Sequence, residues 1–288
     1  MSAAPLMRPA SALLPYALVG VPTAFLLLFF VIPTLWLLSA SVLVSDGMQV
    51  SGEMTFDNFR TAFGHRVYAG AILRTFVVGL SVGALVIALS YPLAYFLVRT
   101  TSRWKGALIA LSLAPLLASV IVRTYGWYVI LNREGALNRL LLDTGMVAKP
   151  LEFLPSTGAI IIGLAHALLP YGVLSIMSSL NALNPNLERA AMSLGANRLR
   201  TFLSVTLPLT LPGVAGGFLL AFSLSISAYA TPAILGGPAT ETIATLTRNL
   251  MLVQLDWTLG AALAAVLLIA TVGLLLLGAA VGAKRSAA

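Results

Sequence analysis

The sequence predicts an all-α protein: a polytopic membrane helix bundle with six transmembrane helices and both termini cytoplasmic. Three observations carry this. Of 288 residues, 59% are hydrophobic and 9% charged, against roughly 25% charged in a soluble globular chain, and the mean hydropathy is +0.97. Six apolar runs, 17–44, 71–98, 106–131, 158–180, 209–233 and 258–282, each reach the ~20 residues that a helix needs to cross the hydrocarbon. No Asp or Glu falls inside any of them. Nine of the 17 basic residues fall on one side of these runs, against a single acid. This composition leaves too few polar side chains for a water-facing surface and excludes disorder. Cysteine is absent, so there is no disulfide framework, thiolate metal site or cysteine nucleophile.

The run 17–44 is too long for a signal-peptide core of ~7–15 residues and reads as a retained helix. After it, Thr55 is placed to cap a short outer helix carrying Phe56, Phe59 and Phe63 on one face. The run 71–98 contains Gly79-Leu80-Ser81-Val82-Gly83, a G-x-S-x-G pattern. In soluble hydrolases that serine sits on a strand-to-helix elbow. In an apolar span, small residues serve close helix packing. Paired with His166, Ser81 suggests a distant alternative, an intramembrane serine hydrolase.

The runs 106–131 and 158–180 hold the intramembrane bases Arg123 and His166. An ionisable residue in a span is a functional hypothesis by default. Arg123 lies eight residues from the outer end of its run, roughly 12 Å at helical rise, so it can snorkel, shape an outer gate or line a pathway. His166 reads either as a neutral, hydrogen-bonded packing residue or as a pathway residue. In the last outer loop, Ile243, Leu246, Leu250 and Val253 make an apolar face at helical spacing, and Asp256 is placed to cap the final span. Both outer faces read as helices on the membrane surface or as a docking surface for an external partner. Trp36, Trp104, Trp127 and Trp257 read as interfacial anchors.

With six spans, residues 1–16, 99–105, 181–208 and 283–288 share a side. They hold nine bases (Arg8, Arg99, Arg103, Lys105, Arg189, Arg198, Arg200, Lys284 and Arg285) against one acid, Glu188. The positive-inside rule makes that side cytoplasmic. The net charge of +8 thus reads as membrane orientation rather than nucleic-acid binding. A P-loop needs Gly-Lys followed by Ser or Thr. The three lysines follow Trp104, Ala148 and Ala283, so the chain lacks that nucleotide site. Paired metal-ligand spacing is also missing.

The segment 184–208 is the most unusual. Asn184-Pro185 is an N-cap and N1 pair. Leu187, Ala190, Ala191 and Leu194 follow at i, i+3, i+4 and i+7. Gly195 fits a stop with φ > 0, and Asn197 is placed to cap a second helix ending at Pro208. The segment reads as an interfacial helix on lipid, as an insertion into a groove on another protein, or as the dock of a signalling partner in a receptor or assembly protein.

Ala190-Ala191, Leu194-Gly195-Ala196, Leu207-Pro208-Leu209 and Pro212-Gly213 resemble the EAA loop of permease subunits of binding-protein-dependent ABC importers. Arg189 stands where that loop carries glutamate, with Glu188 one place earlier. The resemblance spans 71–282, with 1–70 as an N-terminal tail, first span and external loop, and 283–288 as a tail. Tyr91-Pro92-Leu93-Ala94-Tyr95-Phe96, Val122-Arg123-Thr124-Tyr125-Gly126-Trp127, Asn138-Arg139-Leu140-Leu141 and Leu168-Leu169-Pro170-Tyr171 are most similar to the spermidine/putrescine-type branch, B-type permease.

The resemblance implies a type I ABC importer permease (MetI-like) fold in a bacterial inner membrane. It implies a homologous second permease, an external substrate-binding protein, and a cytoplasmic ATPase dimer that alone binds ATP and magnesium. The chain itself would be no enzyme and hold no cofactor. Leu187, Glu188, Ala190, Ala191, Leu194, Gly195 and Arg198 would form the ATPase coupling surface. The implied cargo is a polyamine, or else another small amine, amino acid or aminophosphonate. A polycation in a low-dielectric path needs compensating groups. The spans offer Tyr91, Tyr95, Tyr171 and Tyr229, with Ser223 and Ser227 on one helical face and Ser225 near Tyr229. The acids must come from the second permease or from Asp256 and Glu241.

Overall fold

The computed structural model describes residues 9–46 and 49–286, and the side chains of 18–44, 52–276 and 278. Arg8 lies outside the described residues, as do the side chains of Asp46, Lys284 and Arg285. The first span is α1 (Pro9–Leu26), a π turn (Leu27–Val31) and α2 (Ile32–Ala40). Its side chains from Leu18 to Trp36 are mostly exposed, and α2 packs on the last helix. A two-stranded antiparallel hairpin follows, β1 (Leu43–Asp46) and β2 (Gln49–Met54), with Leu43 opposite Met54. It adds strand to a chain whose sequence predicts helices alone. Asn58, on the short helix α3 (Asp57–Gly64), holds it: Nδ2 donates to the Ser41 carbonyl (3.0 Å) and the Leu43 carbonyl (2.8 Å). The N-cap of α3 is Phe56, without a side-chain cap, rather than Thr55; Thr55, one residue earlier, still accepts from the Asp57 N–H at 3.1 Å.

Helix α4 (Arg66–Arg99) is the second span. The third is broken. Helix α5 (Lys105–Leu117) ends before Ala118 and Ser119, both extended, and α6 (Val120–Leu131) leaves at a bend of 100°. The continuous span expected over 106–131 is therefore a bent pair. Pro115 sits in the last turn of α5, where its missing N–H weakens the helix, and Arg123 donates to the Pro115 carbonyl that the break frees. Among the described residues, five helices are long and apolar enough to cross a membrane, or six if the bent pair is one span.

After α7 (Ala136–Asp143) comes the fourth span, α8 (Thr157–Ala182). Asn138 is wholly buried. Its amide donates to the carbonyls of Asn132 (3.2 Å) and Leu151 (2.9 Å), and its oxygen accepts from the Leu151 N–H (2.8 Å). One side chain thus closes the loop between the third and fourth spans.

Helices α9 (Pro185–Ser193) and α10 (Arg198–Thr201) form the informative loop. The second helix does not stop at Pro208. It passes through a π turn (Phe202–Thr206) into α11 (Leu207–Ile226), the fifth span. The wider π turn absorbs the ring and the missing N–H of Pro208, which an unbroken α-helix would not. That span ends at Ile226 rather than 233, and α12 (Ala230–Leu235) turns away. Helix α13 (Ile243–Asn249) and a further π turn (Leu250–Gln254) precede the sixth span, α14 (Trp257–Ser286).

The core is α4, α8 and α11 packed together. Val78, Val82 and Val86 meet Ile160, Leu164, Leu168 and Ala221, all nearly inaccessible. Helix association in lipid relies on close packing and hydrogen bonds rather than on escape from water, and the G-x-S-x-G glycines serve that end. A Cβ at Gly83 would lie 2.7 Å from the Phe218 ring, and one at Gly79 would strike Ile226 and Phe222. The outer apolar face also joins a core. Ile243, Leu246 and Leu250 are buried against Ala62, Ala71, Leu259 and Leu263, while Val253 is 64% exposed. The π turn rotates Val253 off the face that Ile243, Leu246 and Leu250 share, so these three pack inside the protein rather than on a membrane surface.

Candidate functional site

The loop 184–200 is built by its caps. Asn184 Oδ1 accepts from the Asn186 N–H at 3.0 Å, and Pro185 starts α9. At the other end the Leu194 N–H reaches the Ala190 carbonyl (3.1 Å) and the Ala196 N–H the Ala191 carbonyl (3.1 Å). Gly195 makes that closure at φ +88°, a conformation that costs other residues ~1 kcal/mol or more. Asn197 Oδ1 accepts from the Arg200 N–H at 2.8 Å and starts α10.

Helix α9 shows its apolar side to the outside. Leu194 is 89% exposed and Leu187 46%. Ala190 is exposed, and Ala191 is half-buried at the edge of a hollow. Arg198 is exposed one turn away. Glu188 points inward: Oε1 accepts from Arg99 Nη2 at 2.7 Å and from the Thr206 hydroxyl at 2.8 Å. This acid, one place before the position that carries glutamate in the EAA loop, ties α9 to the ends of the second and fifth spans.

Tyr91 and Tyr95 belong to the same end. Tyr91 is buried, its hydroxyl 2.8 Å from Thr210 Oγ1, with Phe202 edge-on at 5.4 Å. Tyr95 also meets Phe202 edge-on, and Arg99 lies 5.8 Å from its ring centre. Tyr95 thus lies beside Arg99, while Tyr91 is tied to Thr210, and Phe202 joins the two rings.

Halfway along α8, His166 Nδ1 accepts from Trp127 Nε1 at 3.2 Å, with the rings edge-on at 5.7 Å. An accepting Nδ1 leaves the ring neutral. Arg123 is spent on the Pro115 carbonyl. Tyr171 lines a groove of about 500 Å³ between α8 and α11, with Ser175, Ser178, Ser179, Pro212, Gly213 and Leu220. Ser223 and Ser227 follow Leu220 at i+3 and i+7, so they continue that stripe. The Ser223 hydroxyl is buried with no hydrogen-bond partner, whereas Ser227 donates back to the Ser223 carbonyl at 3.0 Å. Ser225 bonds its own helix through Phe222.

At the opposite end Tyr229, Glu241, Thr245, Arg248 and Asn249 surround a cavity of about 230 Å³, and the Arg248 guanidinium stands 5.8 Å from the Tyr229 ring centre. Arg74 Nη1 holds the Glu241 carbonyl at 2.7 Å, and Thr75 accepts from the Ile243 N–H at 2.8 Å. Asp256 is committed to capping α14, accepting from the Leu259 N–H at 3.0 Å. The sequence candidates thus fall into three places: the α9 surface with Tyr91 and Tyr95 behind it, the groove with Tyr171 and the serines, and the cavity at the opposite end with Tyr229. Arg99, Thr206, Asn58 and Asn138 were not singled out as site or loop-holding residues, because each acts across more than ten residues and leaves no local pattern.

No family model matches the chain. It is 32% identical over 254 residues to the spermidine/putrescine transport system permease protein PotB of Escherichia coli K12, covering 88% of this chain and 92% of that protein. It is 29% identical over 245 residues to the PotB of Haemophilus influenzae, covering 85% of each. Among solved structures, a bacterial ABC transporter involved in the import of alginate matches its fold with a TM-score of 0.75 at 17% identity, over 94% of this chain and 95% of that one. With this helix order, its exposed α9 and that identity over nearly the full length, the chain belongs to the family of ABC importer permease subunits that includes the PotB proteins, multi-pass proteins of the bacterial inner membrane.

Proposed function

We propose that this permease forms half of a polyamine pathway and takes its driving force from a separate ATPase dimer through α9. The carrying observation is that α9 is anchored from within, by Glu188 on Arg99 and Thr206, while Leu187, Ala190 and Leu194 stay uncovered. A helix braced on its polar side and bare on its apolar side transmits a push from a partner that covers it. On this reading the basic end faces the cytoplasm, which the distribution of Lys and Arg supports. ATP and magnesium are bound by the ATPase subunits, and a homologous second permease completes the pathway. An external binding protein delivers cargo to the opposite end, where Glu241 and Tyr229 line the cavity.

The PotB relatives are named for spermidine and putrescine transport, which supports a polyamine as cargo. The chain's own share of the cation chemistry is modest. A ring contact contributes ~0.5–2 kcal/mol, and Arg248 already lies over Tyr229, so the second permease supplies acids. The test is uptake of radiolabelled spermidine by proteoliposomes holding both permeases and the ATPase, with the binding protein outside. ATP-dependent uptake saturable by spermidine supports the reading. Uptake of an amino acid or aminophosphonate in its place, or a second permease without acids in its spans, removes the polyamine.

A further inference from the structure

Helix α9 with the turn that ends it, α10 and the π turn after it line a hollow of about 310 Å³. Ala191, Leu194 and Val205 give it apolar walls, and Arg200, Thr201 and Ser204 supply its polar groups. Thr201 is only 5% exposed, and its hydroxyl has no hydrogen-bond partner. Thr210, nine residues further on, returns its hydroxyl to the carbonyl four residues back at 2.8 Å. Thr201 does not, and a buried hydroxyl left unpaired is costly. Arg200 is exposed, and among the described residues the one ion pair is Arg99–Glu188. The loop's single acid is therefore consumed internally, while Arg189, Arg198 and Arg200 all face outward. Donors and positive charge surround an apolar hollow that contains no acceptor side chain of opposite charge.

We propose that this hollow receives an aspartate or glutamate projecting from the ATPase subunit. This rests on the reading of α9 as the ATPase dock and adds the chemistry of the contact. An ionised carboxylate is acceptor-only, so it pairs with the Arg200 guanidinium and accepts the Thr201 hydroxyl. Ala191 and Leu194 shield the pair from water, which makes it stronger than an open surface ion pair.

The experiment uses the purified complex of this chain, the second permease and the ATPase. Arg200→Lys keeps the charge and provides a primary amine that a zero-length carbodiimide joins to a touching carboxylate. The expected result is a crosslink, located by mass spectrometry, from position 200 to an Asp or Glu of the ATPase. Arg200→Gln should weaken ATPase retention by about tenfold and flatten its salt dependence, and Thr201→Val should weaken it by about threefold. A complex that yields no such crosslink, or that keeps its ATPase equally well with Arg200→Gln at low and high salt, overturns the proposal. So does a crosslink to serine-headgroup lipid alone, which gives the hollow to the membrane surface. If the unaltered chain retains no ATPase at all, the docking role of α9 falls first, and this contact with it.

Discussion

The Glu188 carboxylate receives Arg99 Nη2 at 2.7 Å, with the glutamate side chain 13% exposed and the arginine 27%. Arg99 ends the second span and Glu188 sits on α9, so the contact fixes the tilt of α9 against the bundle. Removing one partner of a fully buried pair costs ~3–5 kcal/mol. Partial exposure lowers this, and Glu188→Gln should cost about 1–3 kcal/mol locally. The expected phenotype is normal membrane abundance with several-fold lower uptake. A double-mutant cycle with Arg99→Gln measures the coupling: the two losses should fall well short of additive. Additive losses would mean that the two side chains act separately.

Gly195 carries a different kind of strain. Nothing lies within 4 Å of a Cβ built there, and its φ is +88°, so a substitution is penalised by backbone conformation alone. Gly195→Val should misdirect α10 at a cost of ~1 kcal/mol or more, whereas Gly195→Asn, which tolerates that conformation, should transport nearly normally. Uptake by the two variants at matched abundance checks this. Equal loss in both would point to a need for the absence of a side chain rather than for the backbone angle.

Gly83 is limited by space. Gly83→Leu drives a side chain into Phe218, 2.7 Å from the ideal Cβ, and overpacking of this kind typically costs 1–3 kcal/mol. The expected reading is a lower melting temperature of the detergent-solubilised protein, partly restored by Phe218→Ala. Ser81→Ala, between the two packing glycines, should leave both stability and transport unchanged. Loss of all function with Ser81→Ala would revive the hydrolase reading.

Glu241 lines the cavity beside Tyr229, while Asp256 is bound into a helix cap. Glu241→Gln should therefore raise the KM for spermidine several-fold with ATPase retention intact. Asp256→Ala should cost about 1 kcal/mol in stability, the usual value of a lost cap, with little change in KM. The opposite assignment of KM and stability effects would exchange the roles of the two acids.

What the sequence made legible was local. Asn184, Asn197 and Asp256 cap as their spacing predicts, and Gly195 takes the positive φ expected of a helix stop, because each signal lies within four residues. The bend at Ala118–Ser119 was hidden, since Pro115 alone does not tell a kink from a break and Arg123 had to be seen reaching back to its carbonyl. Tyr91 and Tyr95 look in sequence like any other tyrosines of a span, and only the packing of Phe202 against both shows that they meet the π turn that leads into the fifth span. His166 was legible as a hydrogen-bonding group in a span, but its donor, Trp127, lies 39 residues away.

The central claim is that α9 passes force from an ATPase to this bundle. The most direct measurement is spermidine uptake and ATP hydrolysis by the reconstituted four-subunit complex carrying Ala191→Asp, a charge placed on α9 at the half-buried edge of the hollow and outside every span. The account predicts normal insertion, uptake reduced to background, and loss of either ATPase retention or substrate-stimulated hydrolysis. Uptake at the wild-type rate with the ATPase still bound would contradict it and leave α9 as a helix resting on lipid.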